Sequence, residues 1–191
     1  MLELTLDEIA DEINQCKKCD LHKTRNNPVA GDGCKNADVL FIGEAPGRNE
    51  DLQGKPFVGR AGKILDKLLE NIDLDRKQVF IGNILKCRPP NNRNPLRSEI
   101  ESCSHFLDKQ IDLIKPRIIV TLGSFSTEYI FEKFDISIDK ISRVHGKKFK
   151  TVDGKIIIPV YHPAVATYNP NKIFDLEKDF ETIKESLKDL D

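Results

Sequence analysis

Hydrophobic positions along this chain recur in two rhythms. Leu6, Ile9, Ala10 and Ile13 fall at helical spacing, directly after Thr5-Leu6-Asp7-Glu8, which reads as a capping box. Ile64, Leu65, Leu68, Leu69 and Ile72 make a second helical stripe, and Ile100, Cys103, Phe106, Leu107, Ile111 and Ile114 a third. A shorter helix is expected over residues 124–134 and a last one over 172–190. Between the stripes lie short, almost continuously apolar runs at 38–43, 79–83, 117–123 and 155–161. Such runs suit strands buried on both faces of a parallel sheet. Asp153-Gly154 reads as a hairpin turn, and the polar stretch from about 26 to 36 as a loop. The alternation of strand and helix predicts an α/β fold, a three-layer α/β/α arrangement with right-handed crossovers. No internal repeat, low-complexity tract or linker divides the 191 residues, so one domain over 1–191 is expected.

This order has a functional consequence. In open α/β sheets a site lies beyond the carboxyl ends of the strands. Glu44, Asn83 and His162 each fall at such an end, so three distant stretches should converge on one crevice.

Composition narrows the classes. With 39% hydrophobic and 32% charged residues the chain has the make-up of a soluble globular protein. No apolar run approaches the roughly 20 residues of a membrane span. The acidic start, with no basic region, is unlike a signal peptide, so a cytoplasmic location is the default expectation. A net charge of −1 does not point to nucleic acid by itself. A nucleic-acid-binding face would need local clustering, as in Lys86, Arg88, Arg93 and Arg97, or in Arg143, Lys147, Lys148 and Lys150. Taken alone, each cluster reads more readily as solvated surface.

The individual motifs are weak alone. Gly43-Glu44-Ala45-Pro46-Gly47 forces a fixed loop after a strand and would point Glu44 into the crevice; it is also simply a strand–helix turn. The segment from Gly54 to Lys63 opens a helix whose free N–H groups would suit an anion such as a phosphate. It is not a P-loop, since the glycine spacing is wrong and Pro56 follows Lys55. Phe57 stands in a glycine-flanked loop, as a stacking platform or a buried anchor would. Asn83 ends an apolar strand with an amide that both donates and accepts, or merely caps a loop. His162 precedes a rigid proline, placed as an acid/base or donor group, or as a packed histidine. His22, His105 and His145 read as surface or structural residues.

Of five cysteines, four follow the pattern Cys16-x2-Cys19, then Cys87, then Cys103; Cys34 reads as a spectator. The odd number, and the expected cytoplasmic location, argue against a disulfide framework. Four thiolates suit zinc or an iron–sulfur cluster, and from spacing alone zinc has the edge. The zinc deaminase signature and a dinucleotide fingerprint are both missing.

Taken together, GEAPGRNED, GKPFVGRAGKILDKLL, NILKCRPPNNRNP and YHPA, in this order and separation, resemble the family 4 uracil-DNA glycosylases. The likeness extends from Cys16 to the final helix. It implies a mainly parallel four-stranded sheet between helices, and a [4Fe–4S] cluster with Cys16, Cys19, Cys87 and Cys103 as ligands. It implies excision of uracil from double- or single-stranded DNA, leaving an abasic site in base excision repair. Glu44 and the backbone around it, Gly43 and Ala45, match the water-handling motif. Phe57 matches the stacking residue, Asn83 the reader of uracil N3–H and O4, and His162 the histidine facing uracil O2. The expected partner is uracil-containing DNA, handled by a monomer, with downstream repair proteins acting on the product. One departure follows His162: many relatives carry His-Pro-Ser and leucines, whereas this chain has Pro163-Ala-Val-Ala-Thr-Tyr168-Asn-Pro170, leaving open which side chain wedges into the DNA stack. The basic, histidine-containing loop of the covalently DNA-trapping relatives is missing, so turnover is expected. Two rival readings, a small electron carrier and a non-catalytic DNA-binding module, have no use for Glu44, Asn83 and His162 together.

Overall fold

The computed structural model describes residues 4–190. Helix α1 (Leu6–Gln15) is followed by strands β1 (Asp32–Gly33) and β2 (Val39–Gly43), then helices α2 (Arg48–Gln53) and α3 (Arg60–Asn71). Strand β3 (Phe80–Asn83), helix α4 (Arg97–Ile114), strand β4 (Ile118–Leu122) and helices α5 (Ser124–Lys133) and α6 (Ile141–Val144) come next. Strands β5 (Phe149–Lys150) and β6 (Ile156–Val160) precede helices α7 (Val165–Tyr168) and α8 (Lys172–Lys188). The capping box at Thr5 is formed, with Thr5 and Glu8 exchanging hydrogen bonds.

The sheet has six strands in the order β1-β3-β2-β4-β6-β5, not the expected four. Its parallel centre is β3-β2-β4-β6, and two-residue strands are added antiparallel at both edges. Both additions are too short and polar to leave an apolar run. Gly33, at φ +126°, lets β1 approach β3 so closely that a Cβ there would lie 2.0 Å from the Val79 carbonyl oxygen. At the other edge the Asp153-Gly154 turn folds β5 back onto β6, with the Gly154 N–H donating to the Thr151 carbonyl. Short edge strands of this kind blunt a sheet against unwanted pairing.

Alternate residues of each central strand enter opposite cores, which explains the unbroken apolar runs. Val39 and Phe41 of β2 pack with Leu65, Leu68 and Leu69 of α3 and Leu176, Phe180 and Ile183 of α8. Leu40 and Ile42 face Leu107, Ile111 and Ile114 of α4 and Ile130 and Phe131 of α5. Ile9 and Ile13 of α1 pack against Phe106 and Cys103 of α4 in a third, smaller cluster. Among the described residues, no helix is long and apolar enough to cross a membrane.

Candidate active site

The order of the parallel strands reverses at β2, whose neighbours β3 and β4 lie on either side of it. Open α/β sheets bind ligands at such a switch point, outside the carboxyl ends. There Gly43 of β2 stands in register with Asn83 of β3. The pairing continues past the strands, as Ile84 N–H donates to the Gly43 carbonyl and Leu85 N–H to that of Glu44. Glu44 and Asn83 are thereby fixed side by side. His162 arrives from β6, and Gly123, at φ +96°, makes room for it: a Cβ there would lie 3.1 Å from the His162 Cβ.

These residues border one solvent-open crevice of about 400 Å³, with Glu44, Ala45, Phe57, Asn83 and His162 on its walls. Gly43 lies beneath it. A Cβ on Gly43 would come within 2.3 Å of Asn83 Oδ1 and 2.8 Å of Phe57 Cζ, so only glycine lets both side chains occupy their places. Asn83 is 2% exposed, yet among the described residues no hydrogen bond within the protein engages its side-chain amide. A nearly buried amide left free at the crevice wall is prepared for an external partner.

His162 shows a complementary preparation. Burial pushes its imidazole down to about 4, against the opposing pull of the Glu50 carboxylate. The ring is therefore neutral at pH 7. Its Nδ1 accepts the Ala164 N–H at 3.2 Å, which leaves the ring proton on Nε2 as a donor. The Phe57 ring stacks near it, with centroids 5.7 Å apart at 29°. Glu44 is half-buried, and the loss of water around it raises its carboxyl above the usual carboxylate range.

Phe57 is held in a left-handed conformation, φ +51°, that its side chain disfavours. Three contacts fix it. Arg76 donates to the carbonyls of Pro56 and Phe57 while its Nε pairs with Asp66 at 2.5 Å. Gly62 packs under the loop, where a Cβ would sit 1.8 Å from the Phe57 carbonyl oxygen. Glu50 accepts the N–H groups of Val58 and Gly59 at 2.8 and 2.9 Å. That last contact occupies two N–H donors just ahead of α3 with a carboxylate of the chain.

Glu50 and Asn92 also border the crevice and were not singled out in the sequence, and Arg93, read there only as part of a basic cluster, borders it too. Glu50 acts on residues eight and nine positions later, a spacing with no local signature. Asn91 and Asn92 have φ of +55° and +53°, and the paired asparagines after Pro89-Pro90 were a legible sign of a left-handed turn. Of the first basic cluster, Lys86 is buried and Arg93 pairs with Glu99 at 2.6 Å, while Arg97 stays exposed in a surface pair with Glu101. Arg143, Lys147, Lys148 and Lys150 are exposed, and the Gly146 N–H beside them donates to Pro159 near the carboxyl end of β6.

The four patterned cysteines come together from three segments. Cys16 and Cys19 follow α1, Cys87 follows β3, and Cys103 lies on α4; all four line a second, much smaller pocket. Arg25 donates to Cys87 Sγ at 3.0 Å and the Lys86 N–H to Cys103 Sγ at 3.3 Å. Burial pushes the Cys103 thiol up to about 11 and raises Cys87 and Cys19 as well. Thiolates there need a cationic partner. His22 lines the same pocket but turns Nδ1 to the Cys19 carbonyl at 2.7 Å. His105 contacts Lys18, and His145 pairs with the buried Asp179 at 2.9 Å, as structural histidines do. Cys34 stays apart from the pocket, among residues packed against the core on the α4 side.

Residues 30–191 match the model of the Uracil DNA glycosylase superfamily. The chain is 52% identical over 186 residues to a type-4 uracil-DNA glycosylase of Saccharolobus solfataricus, covering 95% of this chain and 86% of that one. The corresponding enzyme of Sulfurisphaera tokodaii is 51% identical, with 95% and 84% covered, and that of Archaeoglobus fulgidus 49% identical, with 95% and 92% covered. The strand-end geometry, the order of the motifs and these similarities lead to one conclusion: the chain belongs to the Uracil DNA glycosylase superfamily, within its type-4 family.

Proposed function

We propose that this protein hydrolyses the N-glycosidic bond of uracil in DNA, using Asn83 to read the base and His162 to stabilise the leaving group. The observation that carries this reading is the pairing, across one crevice, of an unengaged amide at Asn83 with a neutral imidazole whose proton is on Nε2. Uracil presents N3–H and O4 on one edge, which an amide can match with one acceptor and one donor. Its O2 gains charge as the bond to C1′ breaks, and a fixed Nε2–H aimed there stabilises the transition state more than the bound base. A histidine that stays neutral down to about pH 4 donates without having to lose a proton first.

Phe57 supplies the stacking face for an extruded base, its loop clamped by Arg76, Gly62 and Glu50 so that the ring does not yield. Glu44, beside Asn83, orients the water that attacks C1′; its raised carboxyl keeps it a ready proton acceptor. Ala45 and Gly43 contribute backbone under the sugar and base. Exposed Arg143 and Lys147, near the carboxyl end of β6, supply phosphate contacts.

Cys16, Cys19, Cys87 and Cys103 would hold a [4Fe–4S] cluster. The donor set is four thiols with N–H···S contacts from Arg25 and Lys86, as such clusters favour. Bound there, the cluster supplies a crosslink between three chain segments and a redox-active centre. The test is an assay for free uracil released from uracil-containing oligonucleotides, single-stranded and duplex, with thymine and cytosine controls. Stoichiometric uracil and abasic sites are expected; intact oligonucleotide would refute the reading.

A further inference from the structure

We infer that Lys86 is a positioning residue which ties the cysteine pocket to the base-reading Asn83, serving as buried counter-charge to the thiolates on one side and as clamp of the Asn83 backbone on the other. This rests on the proposed cluster and on Asn83 as reader, and adds to both. The side chain of Lys86 is 1% exposed, a rare place for an ammonium. Its Nζ donates to the Asn83 carbonyl at 2.9 Å and to Gln110 Oε1 at 2.7 Å, and neither partner is a carboxylate. An unpaired buried cation is costly, and such charges occur paired.

The compensating charge is close at hand. The backbone N–H of Lys86 donates to Cys103 Sγ, and Lys86 itself lines the cysteine pocket next to Cys87. Four thiolates around a four-iron core carry net negative charge, so a buried ammonium and the Arg25 guanidinium on Cys87 offset it from two sides. The same ammonium reaches back three residues to the strand end that presents the Asn83 amide. Gln110, held in turn by donating to the Ala30 carbonyl at 2.7 Å, fixes the lysine from the α4 side. The arrangement makes the geometry of the base reader depend on a charge that the cysteine pocket stabilises. A lysine serving only as core filler would be replaceable by an apolar side chain of equal length.

The test uses purified full-length protein and compares Lys86→Met, which keeps length and loses charge and donors, with Lys86→Gln, which keeps a donor and loses charge. Three quantities are read: iron and sulfide per chain, the reduction potential of the bound cluster, and single-turnover uracil excision. Both variants should show a potential more negative than wild type, because removal of a nearby positive charge favours the oxidised form. Excision should fall at least tenfold in Lys86→Met and less in Lys86→Gln, with DNA affinity held within about threefold. Unchanged potential and full iron content in either variant would overturn the counter-charge role. Excision within twofold of wild type in Lys86→Met would overturn the clamp. If Lys86→Met fails to accumulate, Lys86→Gln decides both points. A wild-type protein lacking iron or uracil release would instead overturn the underlying assignment of function.

Discussion

The crevice and the cysteine pocket lie on either side of one short segment, residues 83–87, and they treat polar groups in opposite ways. In the crevice the Asn83 amide is unengaged, His162 keeps its ring proton on Nε2 and Glu44 stands half-buried on the wall. In the cysteine pocket the groups are tied: Arg25 to Cys87, Lys86 N–H to Cys103, His22 to the Cys19 carbonyl. The crevice is open and has a volume of about 400 Å³, whereas the pocket beneath α1 and α4 is far smaller. A site that turns substrate over keeps its partners waiting, whereas one that holds a permanent group commits them. On this account the crevice performs the chemistry and the pocket holds its walls in place.

The comparison breaks most visibly at Cys103. Its loss would untie α4 from the segments after α1 and after β3. Cys103→Ser is expected to lose several kcal/mol of stability, which for a domain of this size lowers Tm by roughly 10 °C. Thermal unfolding followed by circular dichroism checks this. Normal stability with abolished excision would move the pocket from scaffold to chemistry.

A smaller effect sharpens the crevice side. Asn83→Asp replaces the donor to uracil O4 with a carboxylate oxygen, while the amino group of cytosine gains an acceptor. Uracil excision should fall by about 10²-fold, in line with a lost hydrogen bond and an added repulsion, and cytosine release should appear. Parallel assays on uracil and cytosine oligonucleotides measure the switch. Unchanged uracil activity would remove Asn83 from the reading role.

The mildest perturbation is pH. Burial holds His162 at about 4 against an ordinary 6.5. Between these values the unfolded chain binds a proton that the folded one refuses, so stability declines as pH falls from 6.5 toward 4. The donor itself survives that range, so the acid limb of the excision rate belongs to Glu44, whose carboxyl burial has raised. In Glu44→Gln the limb should vanish from a lower, flat profile. A limb near pH 6.5 persisting in that variant would show that His162 titrates normally.

The sequence made the crevice more legible than the scaffold that supports it. Glu44, Asn83 and His162 stood at the ends of apolar runs, so the strand rule alone was enough to bring them together. The central four parallel strands followed from the same runs, since burial on both faces leaves an unbroken apolar signal. The edge strands left none, because two residues such as Asp32 and Gly33 carry no periodicity. Glu50 was hidden for a different reason: its partners are backbone N–H groups, which any sequence would offer. The basic segment around Lys86 misled, because a buried ammonium and a solvated one look alike until Gln110, from another helix, is seen beside it.

The division of labour between crevice and pocket is tested most directly at His162. In single-turnover reactions His162→Ala should slow uracil release by about 10²–10³-fold, as for other oxyanion donors. Affinity for a non-hydrolysable uracil analogue in DNA should stay within about threefold, because the charge on O2 grows only as the bond breaks. A rate near wild type with collapsed affinity would contradict the account, making His162 a docking residue and leaving the leaving group to other donors.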